Sequence, residues 1–353
     1  MSYYDFYLKY RDIICGDYFK SFSPGDVPDE SFGALLSPAA EGLLEEMAQR
    51  AHAFTLQNFG KTIQIYTPLY LSDFCENECV YCGFNARNNT PRKKLTEEEV
   101  EKEAIAISST GIKHLLVLTG DFRKKSPPEY IISCIKILKK YFTSVSIEIY
   151  ALNEIEYRDI IAAGADGLTI YQETYDEALY ADLHKKGPKR DYLFRLDAPQ
   201  RAAKQGIRSI NIGVLLGLSD WRKEIFFMGC HAKYLQDKFP GIEIGMSIPR
   251  LRPHMGEFKI PYKVSDTNMA QIITALRIYL PRAGITLSTR ESAKLRENLL
   301  PLGITRMSAG SSTKVGNRGN SQFDISDTRS VKEVQEMLAL KGYQPVFKDW
   351  MPI

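Results

Sequence analysis

Long apolar runs are missing from this 353-residue chain. No stretch of about 18 uninterrupted apolar residues occurs, so a membrane-spanning helix is not expected. The opening MSYYDFYLKYRDIICGDYFKSF lacks a basic segment followed by an apolar one, so no secretory leader is expected and the cytoplasm is the expected compartment. Charge of one sign is scarce as well: 46 Lys and Arg face 43 Asp and Glu, and the balance of +3 excludes a nucleic-acid binder driven by bulk charge. Disorder is excluded too, because 44% hydrophobic and 25% charged residues permit a large buried core. No internal repeat and no low-complexity segment occurs, and His52, His114, His184, His231 and His254 form no metal-spaced pair.

What is present is alternation. Residues 1–60 read as a helical extension, in which SPAAEGLLEEMAQRAHAFTLQNF starts at Ser37 and Pro38. From Thr62 onward, short runs rich in Ile, Val and Leu alternate with longer amphipathic stretches, the pattern of βα units on a parallel sheet. Candidate strands fall at 62–71, 114–119, 145–150, 167–171, 209–216, 242–248, 284–288 and 304–309. Helix candidates lie between them, among them TEEEVEKEAIAISSTG with a capping box of Thr96 and Glu99 and a stop at Gly111, RLDAPQRAAKQG, and WRKEIFFMGCHAKYLQDKF. Eight such units predict an α/β fold of the (β/α)8 TIM-barrel type over residues 61–315, with chemistry on the loops after the strand C-termini. Residues 316–353 read as a tail with one more helix, packing on the barrel rim and carrying Trp350.

The first strand runs straight into Cys75-Glu-Asn-Glu-Cys79-Val-Tyr-Cys82-Gly83. That spacing would also set three small residues on one helix face, but polar Asp73, Glu76, Asn77 and Glu78 and the chain-breaking Gly83 oppose a buried helix. Three crowded thiolates suit a soft metal centre in a reducing compartment. A closed zinc site wants four ligands, and no fourth Cys or His follows at a usual finger spacing. Three thiolates on a [4Fe–4S] cluster would leave one iron open to a substrate or cofactor. Cys15, Cys134 and Cys230 read as buried small residues.

With the aromatic Tyr81 before its last cysteine, the CxxxCxxC run resembles the signature of the radical S-adenosylmethionine (SAM) superfamily. The resemblance implies a radical SAM barrel in which Cys75, Cys79 and Cys82 hold a [4Fe–4S] cluster whose open iron chelates S-adenosyl-L-methionine. The second strand end, Thr119-Gly120-Asp121, falls where such proteins receive the SAM ammonium, and the resemblance makes Tyr81, on the signature loop, a cofactor-binding residue as well. The usual Gly-Gly-Glu is altered there, which leaves the backbone at Thr119 with that role and the side chain of Asp121 in question. Glu173 and Arg195 match the acid and the Arg that hold the SAM ammonium and carboxylate; taken by themselves they are also an ordinary ion pair. Arg290 and Ser308 match the pair that binds the substrate carboxylate in aromatic amino-acid lyases of the superfamily, a task suited to the planar fork of Arg. Arg250 and Arg252, after the sixth strand, add positive potential at the same mouth or serve the structure.

Further segments in order, from LLSPAAEGLLEEMAQRAH through YQETYDEALY, HKKGPKRDY, LLGLSDWR, SIPRLRP, LSTRES and MSAGSST, resemble the tyrosine lyases of anaerobic thiamine biosynthesis. That resemblance implies cleavage of the Cα–Cβ bond of L-tyrosine to 2-iminoacetate (dehydroglycine) and p-cresol, with SAM converted to 5′-deoxyadenosine and methionine. It also implies flavodoxin or ferredoxin as electron donor and delivery of the imine to the thiazole synthase ThiG. Related hydrogenase maturases hold a second cluster on a C-terminal CxxC; here the last cysteine is Cys230, so that activity is not expected. The alternatives are a radical SAM lyase or mutase acting on tryptophan or another amino acid, and a non-catalytic barrel stabilised by zinc.

Overall fold

The computed structural model describes residues 2–15, 18–19, 29–252, 258–316 and 321–347; His254, Trp350 and the side chain of Cys15 lie outside them. Its strands are β1 (Thr62–Ser72), β2 (His114–Thr119), β3 (Ser144–Glu148), β4 (Gly167–Glu173), β5 (Ser209–Val214), β6 (Glu243–Ser247), β7 (Gly284–Leu287), β8 (Arg306–Ser308) and β9 (Gln344–Val346). The first eight pair in chain order, all parallel, and β1 bonds to both β2 and β8, which closes the barrel. Every expected strand is present, several of them shorter than the apolar run that announced it. β9 was not expected: three residues containing a proline carry no readable period, yet they pair with Thr62–Gln64 outside the ring. The 11 residues of β1 serve three partners in succession, β9 at its start, β8 next and β2 at its end.

The helices follow their local chemistry. Helix Glu97–Ser108 begins with the reciprocal capping box, Glu99 N–H donating to Thr96 Oγ1 at 3.2 Å and Thr96 N–H to the Glu99 carboxylate at 2.9 Å. The helix expected from Ser37 opens with a 3-10 turn, Pro38–Leu43, before Leu44–Phe59. RLDAPQRAAKQG straddles a break between Tyr192–Leu196 and Ala198–Lys204, because Pro199 has no N–H to continue a helix and sits at the start of the second. The N-terminal helices lie on Trp221–Lys238 and Asp266–Tyr279 through aromatic contacts: Tyr3 stacks on His231 at 4.1 Å and Phe32 on Tyr279 at 4.0 Å. Cys230 and His231 are buried in this packing, and Cys134 is buried on helix Pro128–Leu138. No described helix is long and apolar enough to cross a membrane.

Within the strands the period of two separates two environments. Ile63, Ile65, Leu115, Val117, Val145, Ile147, Leu168, Ile170, Ile210 and Ile212 are buried on the outer face, beneath the helices. Their neighbours point inward and are mostly polar: Gln64 and Tyr66, Ser144 and Ser146, Thr169 and Tyr171, Ser209 and Asn211, Thr286, and Arg306. Barrels of this type are usually filled by layers of branched apolar side chains; here small polar residues leave the interior hollow. One cavity of about 480 Å3 opens at the strand N-termini and another of about 940 Å3 at the C-termini, with Tyr66, Leu116 and Tyr171 lining both.

At the C-terminal end, the fully buried Arg296 donates to the carbonyl of Ser308 and pairs with Asp327, which also binds Arg329 at 2.6 Å. Burial alone would raise the Asp327 carboxyl, but Arg329 and Arg296 outweigh it and hold it at about 2. Arg296→Met should therefore destabilise the protein by about 3 kcal/mol in urea unfolding, because it leaves a buried carboxylate and a carbonyl short of a partner. Lys332→Gln, which removes an exposed pair with Glu336, should change stability by less than about 0.5 kcal/mol.

Candidate active site at the mouth of the barrel

Beyond β1 the chain folds back on itself rather than forming a helix. Asp73 accepts from Lys93 N–H at 2.6 Å, and Arg92 donates to the carbonyls of Asp73 at 2.9 Å and Asn85 at 2.7 Å. The Asn77 side chain is the joint of this loop: Oδ1 accepts from Lys189 N–H at 2.9 Å, and Nδ2 donates to Asp121 at 2.9 Å and lies 3.7 Å from Cys75 Sγ. Gly187, at φ 94°, passes directly over Asn77, where a Cβ would strike its side-chain oxygen. Two backbone bonds, Glu78 N–H to Lys186 O and Val80 N–H to Leu183 O, fasten the same loop to the segment after β4.

The three cysteines are held on this loop, Cys79 buried and Cys75 and Cys82 half-buried. Burial pushes the Cys75 thiol up to about 11 and the Cys79 thiol further, and each feels the Cys82 sulfur nearby. Among the described residues no three His, Cys, Asp or Glu side chains are gathered closely enough to hold one metal ion. Around a single tetrahedral zinc, with bonds of about 2.3 Å, sulfurs crowd to roughly 3.8 Å apart. Three thiols on one short loop are a soft donor set with no fourth His, Cys, Asp or Glu gathered beside them among the described residues, which fits a centre that keeps a position open rather than a closed four-ligand zinc site.

At the end of β2, the side-chain oxygen of Thr119 and one oxygen of Asp121 are buried without a hydrogen-bond partner. Asp121 is pushed up by burial, against the hydrogen bond from Asn77 that occupies its other oxygen. Gly120 lies against the cysteine loop, where a Cβ would fall on the Phe74 carbonyl and 3.2 Å from Cys75 Cβ. Tyr81 donates its hydroxyl to His184 Nε2 at 2.7 Å, because Nδ1, 2.8 Å from the Tyr180 carbonyl, carries the ring proton. Burial drives His184 down to about 2, so it stays neutral.

Glu173 ends β4 with φ 70°, a left-handed conformation that costs energy in a non-glycine residue, where the register slips against β5. Lys189 Nζ binds its carboxylate at 2.6 Å, whereas Arg195 stands 3.9 Å away and donates through Nε to the Tyr171 carbonyl at 2.6 Å. The ion pair expected from the sequence is thus a buried group of one anion and two cations. Lys189 was missed, for nothing in GPKRDY marks which basic residue turns inward.

The larger cavity gathers Tyr81, Cys82, Glu173, Lys189, Arg290 and Ser308. Arg290 lies with its guanidinium 3.5 Å from the Phe323 ring centroid and has no acceptor among the described residues. Ser308 accepts from Thr289 N–H at 3.1 Å and hydrogen-bonds Tyr66. Arg252 lines this cavity and bonds Ser326, but Arg250 is engaged by Glu291 and by Asp266 at 2.9 Å and serves the structure. Glu148, at the end of β3, also lines the cavity and was missed as a site residue. Alternation from Ser144 and Ser146 could have found it, since those residues face inward and Glu148 is next in the series. Gly120→Ala should displace the Phe74–Cys75 backbone and cost about 2 kcal/mol in thermal unfolding, whereas Gly42→Ala, which meets open space, should cost nothing measurable.

Comparison with known proteins agrees with this construction. The description Radical SAM superfamily matches residues 69–228, and Biotin and Thiamin Synthesis associated domain matches residues 247–344. The chain is 38% identical to the 2-iminoacetate synthase of Escherichia coli (strain K12), over 98% of this chain and 93% of that one. It is 25% identical to the 3-methylornithine synthase of Methanosarcina barkeri over 90% of each. Among solved structures it resembles HydG, a maturase of the [FeFe]-hydrogenase, with TM-score 0.86 and 34% identity over 99% of this chain and 77% of that chain. Methylornithine synthase (PylB), at TM-score 0.76 and 21% identity over 94% of this chain and 97% of that chain, shares the fold. A closed barrel with three cysteines on the loop after its first strand, and identity running nearly end to end, places this chain in the radical SAM superfamily, and within it the chain belongs to the 2-iminoacetate synthase family.

Proposed function

We propose that the protein cleaves the Cα–Cβ bond of L-tyrosine to 2-iminoacetate and p-cresol, consuming S-adenosyl-L-methionine to 5′-deoxyadenosine and methionine, in service of thiamine thiazole biosynthesis. The observation that carries this reading is the 38% identity over 98% of the chain with a 2-iminoacetate synthase. In this reading Cys75, Cys79 and Cys82 hold a [4Fe–4S] cluster, and the orphaned oxygens of Thr119 and Asp121 fit a site whose ligand brings its own donors. When bound, the cluster and SAM would supply the radical chemistry that the substrate's bond cleavage needs.

The chain's own residues bind, orient and exclude water. Tyr81 lines the larger cavity from the cysteine loop, and the Thr119–Gly120–Asp121 turn lies against that loop at Phe74 and Cys75. Glu173 receives the SAM ammonium; Lys189 and Arg195 leave the group with a surplus positive charge, which suits the SAM carboxylate. Arg290 and Ser308 clamp the tyrosine carboxylate, and the stack on Phe323 fixes the plane of the guanidinium before substrate arrives. The described helices of the N-terminal extension brace the barrel through Trp221–Lys238 and Asp266–Tyr279, and the described part of the tail adds β9 alongside β1. Because the imine hydrolyses in water, direct transfer to the thiazole synthase ThiG follows, with flavodoxin or ferredoxin supplying the electron.

Anaerobic incubation of reconstituted protein with reductant, SAM and L-tyrosine should yield 5′-deoxyadenosine and p-cresol together. Cys79→Ala should abolish both. Arg290→Ala should lower p-cresol by roughly tenfold or more while 5′-deoxyadenosine continues to form; an undiminished p-cresol yield would remove Arg290 from the site.

A further inference from the structure

Two charged groups in the larger cavity stand apart from the rest. Glu173 is bound by Lys189, and Arg252 bonds Ser326. The cations of the smaller cavity are occupied too, Arg208 and Arg306 both pairing with Glu243. The Glu148 carboxylate makes no hydrogen bond or ion pair with any described residue, and the guanidinium of Arg290 has only the face of Phe323. A carboxylate and a guanidinium facing one chamber, each without an opposite charge in contact, are costly in an empty protein. A zwitterion satisfies both at once: its carboxylate meets Arg290, leaving its ammonium to find the anion.

Resting on the reading of the chamber as an amino-acid site, we propose that Glu148 is the acceptor for the substrate's α-ammonium, the counterpart of Arg290 and Ser308 at the carboxylate. Three points then fix the α-carbon: a charge-assisted bond at each polar end and the side chain in the remaining space. Glu148 comes from β3, whereas Arg290 follows β7 across the barrel, so the amino acid spans the lumen.

Burial, and then the charge of Glu173, push the Glu148 carboxyl up to about 7, against Arg290, Arg195 and Lys189. Tyr66 and Tyr70 from β1 and Tyr171 from β4 also face it, and burial raises all three, so they remain neutral at physiological pH. An ammonium is thus held above about pH 7, where Glu148 is ionised, and released below it. A ligand bearing only the carboxylate has the opposite sign, because protonating Glu148 removes a repulsion and leaves Arg290 untouched.

The test measures binding to anaerobically reconstituted holoenzyme with SAM and no reductant, so that nothing turns over. Equilibrium dialysis compares L-tyrosine with 3-(4-hydroxyphenyl)propanoate, which keeps the phenol and carboxylate and lacks the amine. Glu148→Gln should weaken L-tyrosine roughly tenfold or more and leave the desamino acid within about twofold. In the wild type, lowering the pH from 8 to 6 should weaken L-tyrosine but not the desamino acid. This profile decides the matter alone if Glu148→Gln fails to match the wild type in iron content and circular dichroism. Equal weakening of both ligands assigns Glu148 to the phenol or to packing, and unchanged binding of both, or parallel pH profiles, likewise overturns the proposal. A wild-type protein that binds the desamino acid but not L-tyrosine overturns the amino-acid reading of the chamber as well.

Discussion

The amide of Asn77 is the constraint on which the site depends. It joins three segments distant in sequence: the cysteine loop that carries it, the end of β2 through Asp121, and the turn at Lys189. Both polar ends of the amide are engaged, and the glycine at 187 lets the backbone lie close over it. Were this joint loosened, Cys75 would lose a neighbour at its sulfur and Lys189 the fixed backbone from which it reaches Glu173. The cysteines are preorganised by polar contacts around them more than by the short peptide between them.

The second determinant is the division between the two faces of each strand. Apolar residues on the outer face provide the burial that stabilises the fold, so the inner face is released from packing and can be polar and hollow. Buried polar groups are costly without partners, and the lower barrel satisfies many of its own: Asn211 donates to Ser247 and Arg208 pairs with Glu243. The upper barrel leaves Thr119, Asp121, Glu148 and Arg290 with unmet bonding capacity. These groups lie beside the cysteine loop and the larger cavity at the strand C-termini. The left-handed Glu173 lies at the same end, held there by Lys189 and the slipped register of β4.

Local signals in the sequence were reliable where the physics is local. Thr96 and Glu99 cap their helix because the bonds span three residues, and the cysteine spacing identifies a soft ligand set because all three lie on one short loop. Arg250 and Arg252 show the opposite case. They are two residues apart with near-identical flanks, yet one is held by Glu291 and the other lines the cavity, since their partners come from distant segments. Lys189 and Arg195 were likewise indistinguishable by charge; only the path of the chain after β4 brings Lys189 closer to Glu173.

The amino-acid order by itself determined the eightfold βα repeat, the helical caps and the three thiols at the end of the first strand, because hydrophobic period, side-chain capping and ligand spacing act within a few residues. The tertiary structure alone decided which charges are paired and which are free. It set Lys189 on Glu173, turned Arg250 away, left Arg290 on Phe323 without an acceptor and exposed Glu148 to the chamber. Electrostatic pairing acts through space, and closing a barrel brings together residues more than a hundred positions apart.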